Sequence, residues 1–424
     1  MAALGFAFIA ITTLTPQSGP AAFAPSLCVL CGDMAVQDII LNVILFVPFG
    51  AGMRLAGIRR DRVIAIAFCL TAVIELLQMH IIPGRDSSLG DVITNTFGAA
   101  LGIALADSWP VWVFPTIKQA RRQLWGGVIV WVTILGATVW ALHRSLPDTT
   151  LWGEWAPAVL HFDVFPGTIV SPRAAGFALP PGALGSDALF RQRLLSDSVL
   201  VSAVVVPGAP TDRTAPIVSV YDSERSQVFL LYQRQRSLAF SIRMNAARAM
   251  VRDPVIGLAN VFPAAAAPRD NGDTLHVAGG VLHRALVIRA RDDARHIERE
   301  RRVPLGPALG WTFFLPWAYA FGNETSALSA LWLGGLFLPL AYWSRRTGRR
   351  NEAAFALGIA LVTGLVAAPP IMGGAFVGWA EWLGVIAGGG AGLWFGTMSE
   401  RLGSTSHEYP ESRMRVRGDE SVPA

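Results

Sequence analysis

Residues 63–82 read VIAIAFCLTAVIELLQMHII and carry one acidic side chain, Glu75, and no lysine or arginine. The residues just before this stretch include Arg59, Arg60 and Arg62. A helix needs about 20 mostly apolar residues to cross the hydrocarbon core of a bilayer, and basic residues collect at its cytoplasmic end. The stretch therefore predicts a membrane-spanning helix that begins in the cytoplasm.

The rest of the chain repeats this pattern. Of the 424 residues, 52% are hydrophobic and 15% are charged, whereas about 25% of the residues of a soluble globular protein are charged. We expect eight membrane helices, at 2–15, 36–53, 63–82, 89–108, 125–142, 325–343, 352–370 and 374–397. The composition excludes a wholly soluble protein and makes the lipid bilayer a partner. Nucleic acid is not expected as a partner, because the excess arginines lie in short loops beside apolar spans.

The basic residues mark one side of the predicted membrane domain. They cluster in the tail after residue 398 and in the short loops 54–62, 109–124 and 344–350. The short loops between the other span ends hold almost none. By the positive-inside rule, both termini are cytoplasmic in an inner or plasma membrane, and residues 143–305 are extracytoplasmic.

The segment 143–305 has a different composition. Charges return, and β-branched or aromatic runs such as 199–206, 227–233 and 238–242 alternate with turn signals. We place one further strand break at Gly279-Gly280. Short strands at this spacing predict an all-β, jelly-roll-like sandwich. The fold class is therefore mixed: a polytopic α-helical membrane protein with an inserted extracytoplasmic sandwich.

We divide the chain into four parts. They are a helical membrane domain of five spans at 1–142, the sandwich at 143–305, a second membrane domain at 306–400 with an interfacial segment and three spans, and a disordered cytoplasmic tail at 401–424. The first span has an alternative, because Ala22-Phe23-Ala24 resembles a signal-peptide cleavage site and the span is then removed.

Polar residues recur at helical spacing inside the second, third and fourth predicted spans. Residues three or four apart share one face of a helix. The pairs are Asp38 with Asn42, Glu75 with Gln78, and Asp91 with Asn95, while Arg85 and Asp86 lie in the loop between the third and fourth spans. Ionisable groups in hydrocarbon are costly, so they face protein or water and often mark function.

Two interpretations of this polar cluster stay open. In the first, all eight residues form an outward-facing pocket that binds a zwitterionic or sugar-bearing head group, with Glu75 and Asp91 as candidate catalytic acid–base groups. In the second, the residues only pair with one another, with Arg85 bonded to Glu75 or Asp91. Ser88 and Asp91 then cap the fourth span.

The sequence offers one further reactive feature, a pair of cysteines. Cys28 and Cys31 form a C-x-x-C in the first outer loop and are a disulfide candidate in an oxidising compartment. We expect no metal site and no cofactor, because zinc needs two more ligands near these cysteines and no nucleotide or hydrolase motif occurs.

Three stretches carry a resemblance to a known family. They are TLTP (13–16), DIILNVILFVPFG (38–50) and AVIELLQMHIIPGRDSSLGDVITNTFGAALG (72–102). Residues 1–142 resemble VanZ-like membrane proteins, a family named for teicoplanin resistance. The stretch IVSVYDSERSQVFLLYQRQRSLAFSIR (217–243) is similar to laminin-G/concanavalin A-like sandwiches. These resemblances imply a role in the bacterial cell envelope and no particular reaction.

Three hypotheses follow. The first is a non-enzymatic protein that binds a cell-wall or capsule glycan or a lipid-linked head group and contributes to tolerance of glycopeptide antibiotics. The second is a membrane-embedded enzyme that acts on an envelope precursor through Glu75 and Asp91. The third is a transporter, which lacks support because no pair of broken helices occurs in matching halves.

Overall fold

The computed structural model describes residues 2–15, 28–30, 32–82, 87–157, 162–179, 182–184, 188–263, 274–315 and 319–405. Within these ranges the helices are α1 (Ala2–Leu14), α2 (Ala35–Leu55), α3 (Arg60–His80), α4 (Leu89–Val113), α5 (Ile117–Ala141), α6 (Ala188–Leu195), α7 (Asn245–Arg248), α8 (Thr325–Arg346), α9 (Arg350–Leu361), α10 (Ala368–Ile371) and α11 (Trp379–Thr405). A π-helical segment, Val362–Ala367, joins α9 to α10.

Among the described residues, six helical stretches are long and apolar enough to cross a membrane. They are α2, α3, α4, α5, α8 and the continuous stretch Arg350–Ile371. The expected count of eight spans is not confirmed. Helix α1 has 13 residues, or about 20 Å of helix, against a hydrocarbon core of about 30 Å. Helix α11 has 27 residues and is not among the six.

Glycines bring two pairs of helices, α4 with α2 and α11 with α8, into close contact. On α4, a Cβ at Gly102 would lie 2.7 Å from the Ala51 amide nitrogen of α2. On α11, a Cβ at Gly384 would lie 2.7 Å from the Cα of Ala330 in α8. Small residues at four-residue spacing allow backbones in a membrane to approach this closely. The Gly-rich stretch 384–396 is thus an interface with α8.

Ion pairs tie together the helix ends that carry the basic loops. Asp107 of α4 bonds Arg54 and Arg60 at 2.7 Å each. Arg121 of α5 bonds Glu352 of α9 at 2.9 Å. The opposite ends of the helices meet the sandwich, as Asn245 there donates to the Trp140 carbonyl of α5 at 3.1 Å.

The inserted domain is built from two packed sheets. Its strands are β1 (Leu151–Trp155), β2 (Thr168–Ile169), β3 (Arg173–Ala174), β4 (Phe177–Ala178), β5 (Gly182–Ala183), β6 (Ser198–Val206), β7 (Thr211–Asp222), β8 (Gln227–Gln235), β9 (Ser237–Ile242), β10 (Val255–Leu258), β11 (Leu275–Leu282), β12 (Ala285–Asp292), β13 (Ile297–Pro304) and β14 (Ala320–Phe321). One sheet has the order β14-β10-β9-β8-β7-β1-β5. The other has the order β13-β12-β11-β6-β3-β4, with β2 beside β6.

The two sheets share one apolar core. Val201, Leu231 and Ile288 are buried in it, and a Cβ at Gly279 of β11 would lie 2.6 Å from the Cβ of Phe240 in β9. The expected strand break at Gly279-Gly280 is wrong. Strand β11 runs through both glycines, because the facing sheet and the neighbouring strand leave no room for a side chain there.

The segment after residue 305 packs against the membrane domain. Residues Pro307–Phe314 form a 3₁₀ helix that packs on α5 and α8, and Trp311 donates to the Ser329 hydroxyl at 3.1 Å. Strand β14 then pairs parallel with β10 just before α8 begins. The sandwich therefore takes its edge strand from beyond residue 305.

Candidate functional site

The polar cluster is buried most deeply between α3 and α4. The Asn95 side-chain amide donates to the Thr71 hydroxyl at 2.8 Å, and both residues are buried. The Asn95 side-chain oxygen is also buried and has no hydrogen-bond partner among the described residues. Such bonds join helices in hydrocarbon, where no water replaces a lost partner.

Glu75 connects α3 to the start of α4. Its carboxylate accepts the Ser88 backbone N–H at 2.8 Å, and the Ser88 hydroxyl donates to the Cys28 carbonyl at 3.1 Å. The same hydroxyl accepts the Gly90 N–H at 3.0 Å and so caps α4. The loop before α2, the end of α3 and the first turn of α4 thus form one hydrogen-bonded unit.

The other described members of the cluster are also paired. The Asn42 amide donates to the Asp91 carboxylate at 2.9 Å, which joins α2 to α4. The Gln78 amide donates to the Thr13 carbonyl of α1 at 2.9 Å. Asp91 and Glu75 lie close enough for their carboxylates to interact electrostatically.

Asp38 lies in a different environment from the rest of the cluster. It interacts electrostatically with Arg252, which belongs to the sandwich. Beside it, the buried Gln37 accepts the Arg252 backbone N–H at 2.9 Å and donates to the Leu315 carbonyl at 3.0 Å. These contacts fix the start of α2 to the sandwich.

Some of the predicted site lies outside the described residues. This applies to Arg85, Asp86 and Cys31. Cys28 itself is disulfide-bonded. The pocket of eight residues stays a prediction. Among its described members, Asn42 and Asp91 bond each other. The others contact residues outside the cluster. Thr71 and Gln37 were not predicted as part of the site. Thr71 is an isolated polar residue in an apolar helix, and Gln37 directly precedes Asp38 at the start of α2.

A buried acid lies at the base of the sandwich, close to the membrane domain. The Asp253 carboxylate accepts the Met244 N–H at 2.9 Å. Burial is the largest influence on this group and raises the pKa of Asp253 to about 7. Among the residues that the structure describes, no group of three His, Cys, Asp or Glu side chains is placed to hold a metal ion.

A cavity of about 470 Å³ opens between the sandwich and the first turns of α8 and α11, and we call it the junction cavity. Its lining includes hydroxyls and charges of both signs, among them Glu300, Arg301, Arg302, Asn323, Thr325 and Glu381. Trp379 at its edge is 78% exposed. Such a lining suits a ligand with many hydrogen-bonding groups and one apolar face.

A second groove, of about 420 Å³, continues on the other side of residues 322–324, and we call it the tyrosine groove. Tyr232 and Tyr319 line it with Arg234, and Tyr319 donates to the Glu324 carboxylate at 2.8 Å. Arg301 lines both spaces and donates to the Asn323 side chain at 2.7 Å. The two spaces are therefore neighbours that share a wall.

The helices that hold the polar cluster also carry the likeness to known proteins. Residues 6–112 match the model of the VanZ/LLP1 family. The match covers about a quarter of the chain, and it takes in α2, α3 and nearly all of α4. Residues 6–112 are therefore similar to the VanZ/LLP1 family, and the apolar helices support a multi-pass membrane protein.

The matched segment ends before the sandwich begins, and no match covers the sandwich. No curated protein and no solved structure matches the chain. The two packed sheets confirm the predicted β-sandwich, whereas its likeness to laminin-G and concanavalin A-like domains is not confirmed.

Proposed function

We propose that this VanZ-like membrane protein binds the head group of a lipid-linked envelope glycan in the junction cavity. The supporting observation is the position of that cavity. It lies between the sandwich and the first turns of two helices, α8 and α11, where a lipid-anchored sugar would be presented. The tyrosine groove extends the same surface and offers room for further sugar units.

The chemistry of the lining supports a sugar more than an apolar ligand. Sugar hydroxyls both donate and accept hydrogen bonds, and the cavity offers guanidinium donors from Arg301 and Arg302 and carboxylate acceptors from Glu300 and Glu381. The exposed indole of Trp379 provides a flat surface for the apolar face of a ring.

The proposal depends on sidedness, with the sandwich outside the cell and the basic loops inside. Three observations support it: the positions of the arginines, the bonded state of Cys28, and the location of the basic helix ends away from the sandwich. A membrane-impermeant maleimide should label Ser202→Cys in intact cells, because Ser202 lies half-exposed on β6. Labelling only after lysis would contradict the proposal.

The binding experiment uses the purified full chain and a polyprenyl diphosphate disaccharide as the probe. We expect Trp379→Ala to weaken the Kd several-fold. Trp394→Ala is the matched control, because Trp394 is also exposed on α11 but does not line the cavity. Equal affinity of the wild type and the Trp379→Ala and Glu381→Gln variants would refute the site.

Tolerance of glycopeptide antibiotics is a second part of the proposal and rests on the VanZ/LLP1 match alone. The test is the growth of cells that express the wild type or the Trp379→Ala variant under teicoplanin. We expect tolerance to fall in the variant at equal protein level. Unchanged tolerance would show that the junction cavity does not contribute to glycopeptide tolerance.

The alternative function is a membrane enzyme that acts on an envelope precursor. One observation favours it: the carboxylates of Glu75 and Asp91 interact inside the family-matched segment. It predicts turnover of the added precursor by the wild type and none by Glu75→Gln. Binding of the probe without turnover would favour the first proposal.

A further inference from the structure

An apolar groove lies between α5 and α8, at the end of the bundle away from the sandwich. Its volume is about 490 Å³, and it runs along α5 from Arg122 to Ile134, a distance of about 18 Å along a helix axis. Both helices are among the six that can cross a membrane. The groove is therefore embedded at bilayer depth and open to the side.

Two glycines leave this groove unfilled. A Cβ at Gly126 or at Gly335 would meet no atom within 4 Å. An apolar space of this kind does not hold water, and its lining lacks contacts until something apolar fills it. In a bilayer, the apolar group available to fill this groove is a lipid acyl chain.

The mouth of the groove has the chemistry of a head-group site. Arg122 lines it, is exposed, and forms no hydrogen bond or ion pair within the described residues. Its neighbour Arg121 is instead bonded to Glu352. Lys118, one helical turn before Arg122, adds a second cation on the same side of α5.

A polar atom beside the mouth also lacks a partner. The Gln123 amide donates to the Val111 carbonyl at 2.8 Å, but its side-chain oxygen is buried with no partner among the described residues. Buried acceptors are almost always hydrogen-bonded, so this oxygen is expected to accept a bond from a bound molecule. The indoles of Trp112 and Trp343, with ring centroids 6.0 Å apart, lie at the same level, as is usual at the headgroup layer.

We propose that the groove binds one anionic phospholipid whose head group carries hydroxyls. One acyl chain lies along Gly126 and Gly335, the phosphate lies at Arg122, and a head-group hydroxyl donates to the Gln123 side-chain oxygen. The site lies at the opposite end of the bundle from the junction cavity and does not depend on the proposed function.

Native mass spectrometry of the purified full chain tests this, with phosphatidylglycerol and phosphatidylcholine as the added lipids. A basic residue near an anionic lipid surface changes affinity about fivefold. We therefore expect the wild type to prefer phosphatidylglycerol by at least about fivefold. Arg122→Gln should remove about that factor, whereas Arg62→Gln, which changes an exposed arginine in the first turn of α3, should not.

Filling the groove tests the acyl-chain part. Gly335→Leu should abolish retention of the tightly bound lipid, and Gly126→Leu is a second variant with the same expectation. Gly358→Leu is the matched control, because a Cβ there also meets no atom within 4 Å but lies outside the groove. Wild-type retention in both groove variants, or equal affinity of the wild type for the two lipids, would overturn the proposal.

Discussion

The contact between α8 and α11 gives the sharpest stability prediction. At Gly388 a Cβ would lie 2.7 Å from the Cα of Gly334, and at Gly390 it would meet nothing within 4 Å. Carbon atoms pack at about 3.5–4.0 Å, so Gly388→Ala must push the two backbones apart by about 1 Å. Overpacking of this kind costs about 1–3 kcal/mol.

The control substitution changes the same helix by the same atom. Gly390→Ala adds a methyl group to open space and gains helix propensity, which is worth up to about 1 kcal/mol. Gly388→Ala gains the same propensity, so we expect the two variants to differ by the overpacking cost alone, about 1–3 kcal/mol in the free energy of unfolding. Thermal unfolding of the purified protein in detergent should show Gly388→Ala several degrees below Gly390→Ala. Equal melting of the two variants would refute the close approach of α8 and α11.

Three further predictions concern single side chains. The stability of the sandwich should fall as the pH rises from about 4 to 7, because folded Asp253 keeps its proton in that window while an unfolded aspartate loses it. Asp253→Asn should flatten this slope in thermal melts, and an unchanged slope would contradict it. Thr71→Val should cost about 1–3 kcal/mol by leaving the buried Asn95 amide without its acceptor, and Thr71→Ser should not. Glu75→Gln should keep the melting temperature, since an amide oxygen still accepts the Ser88 N–H; a large fall would show that the charge itself stabilises the fold.

The parts of the fold that sequence predicted are those with a local signal. Apolar runs of about 20 residues predicted the six helical stretches, and β-branched runs predicted strands such as β6 and β8. The β11–β12 turn was misplaced because its signal is weak. It lies at His283-Arg284, where both residues have positive φ and neither is glycine.

Pairings between distant segments carried no local signal. Asp38 interacts with Arg252, more than 200 residues away, and the spacing within α2 does not reveal that. The Thr71 hydroxyl accepts a hydrogen bond from the buried Asn95, but a single threonine in an apolar helix is common and predicts no such partner. The cluster was therefore predicted as a set of residues, and their partners required the structure.

The place of β14 in the chain has a consequence for biosynthesis. This edge strand ends at Phe321, and α8 begins at Thr325. The hydrogen-bonding edge of β10 thus stays vacant until the next transmembrane helix is entering the translocation machinery. A ribosome stalled before residue 320 would leave this strand edge unpaired, and unpaired strand edges promote aggregation.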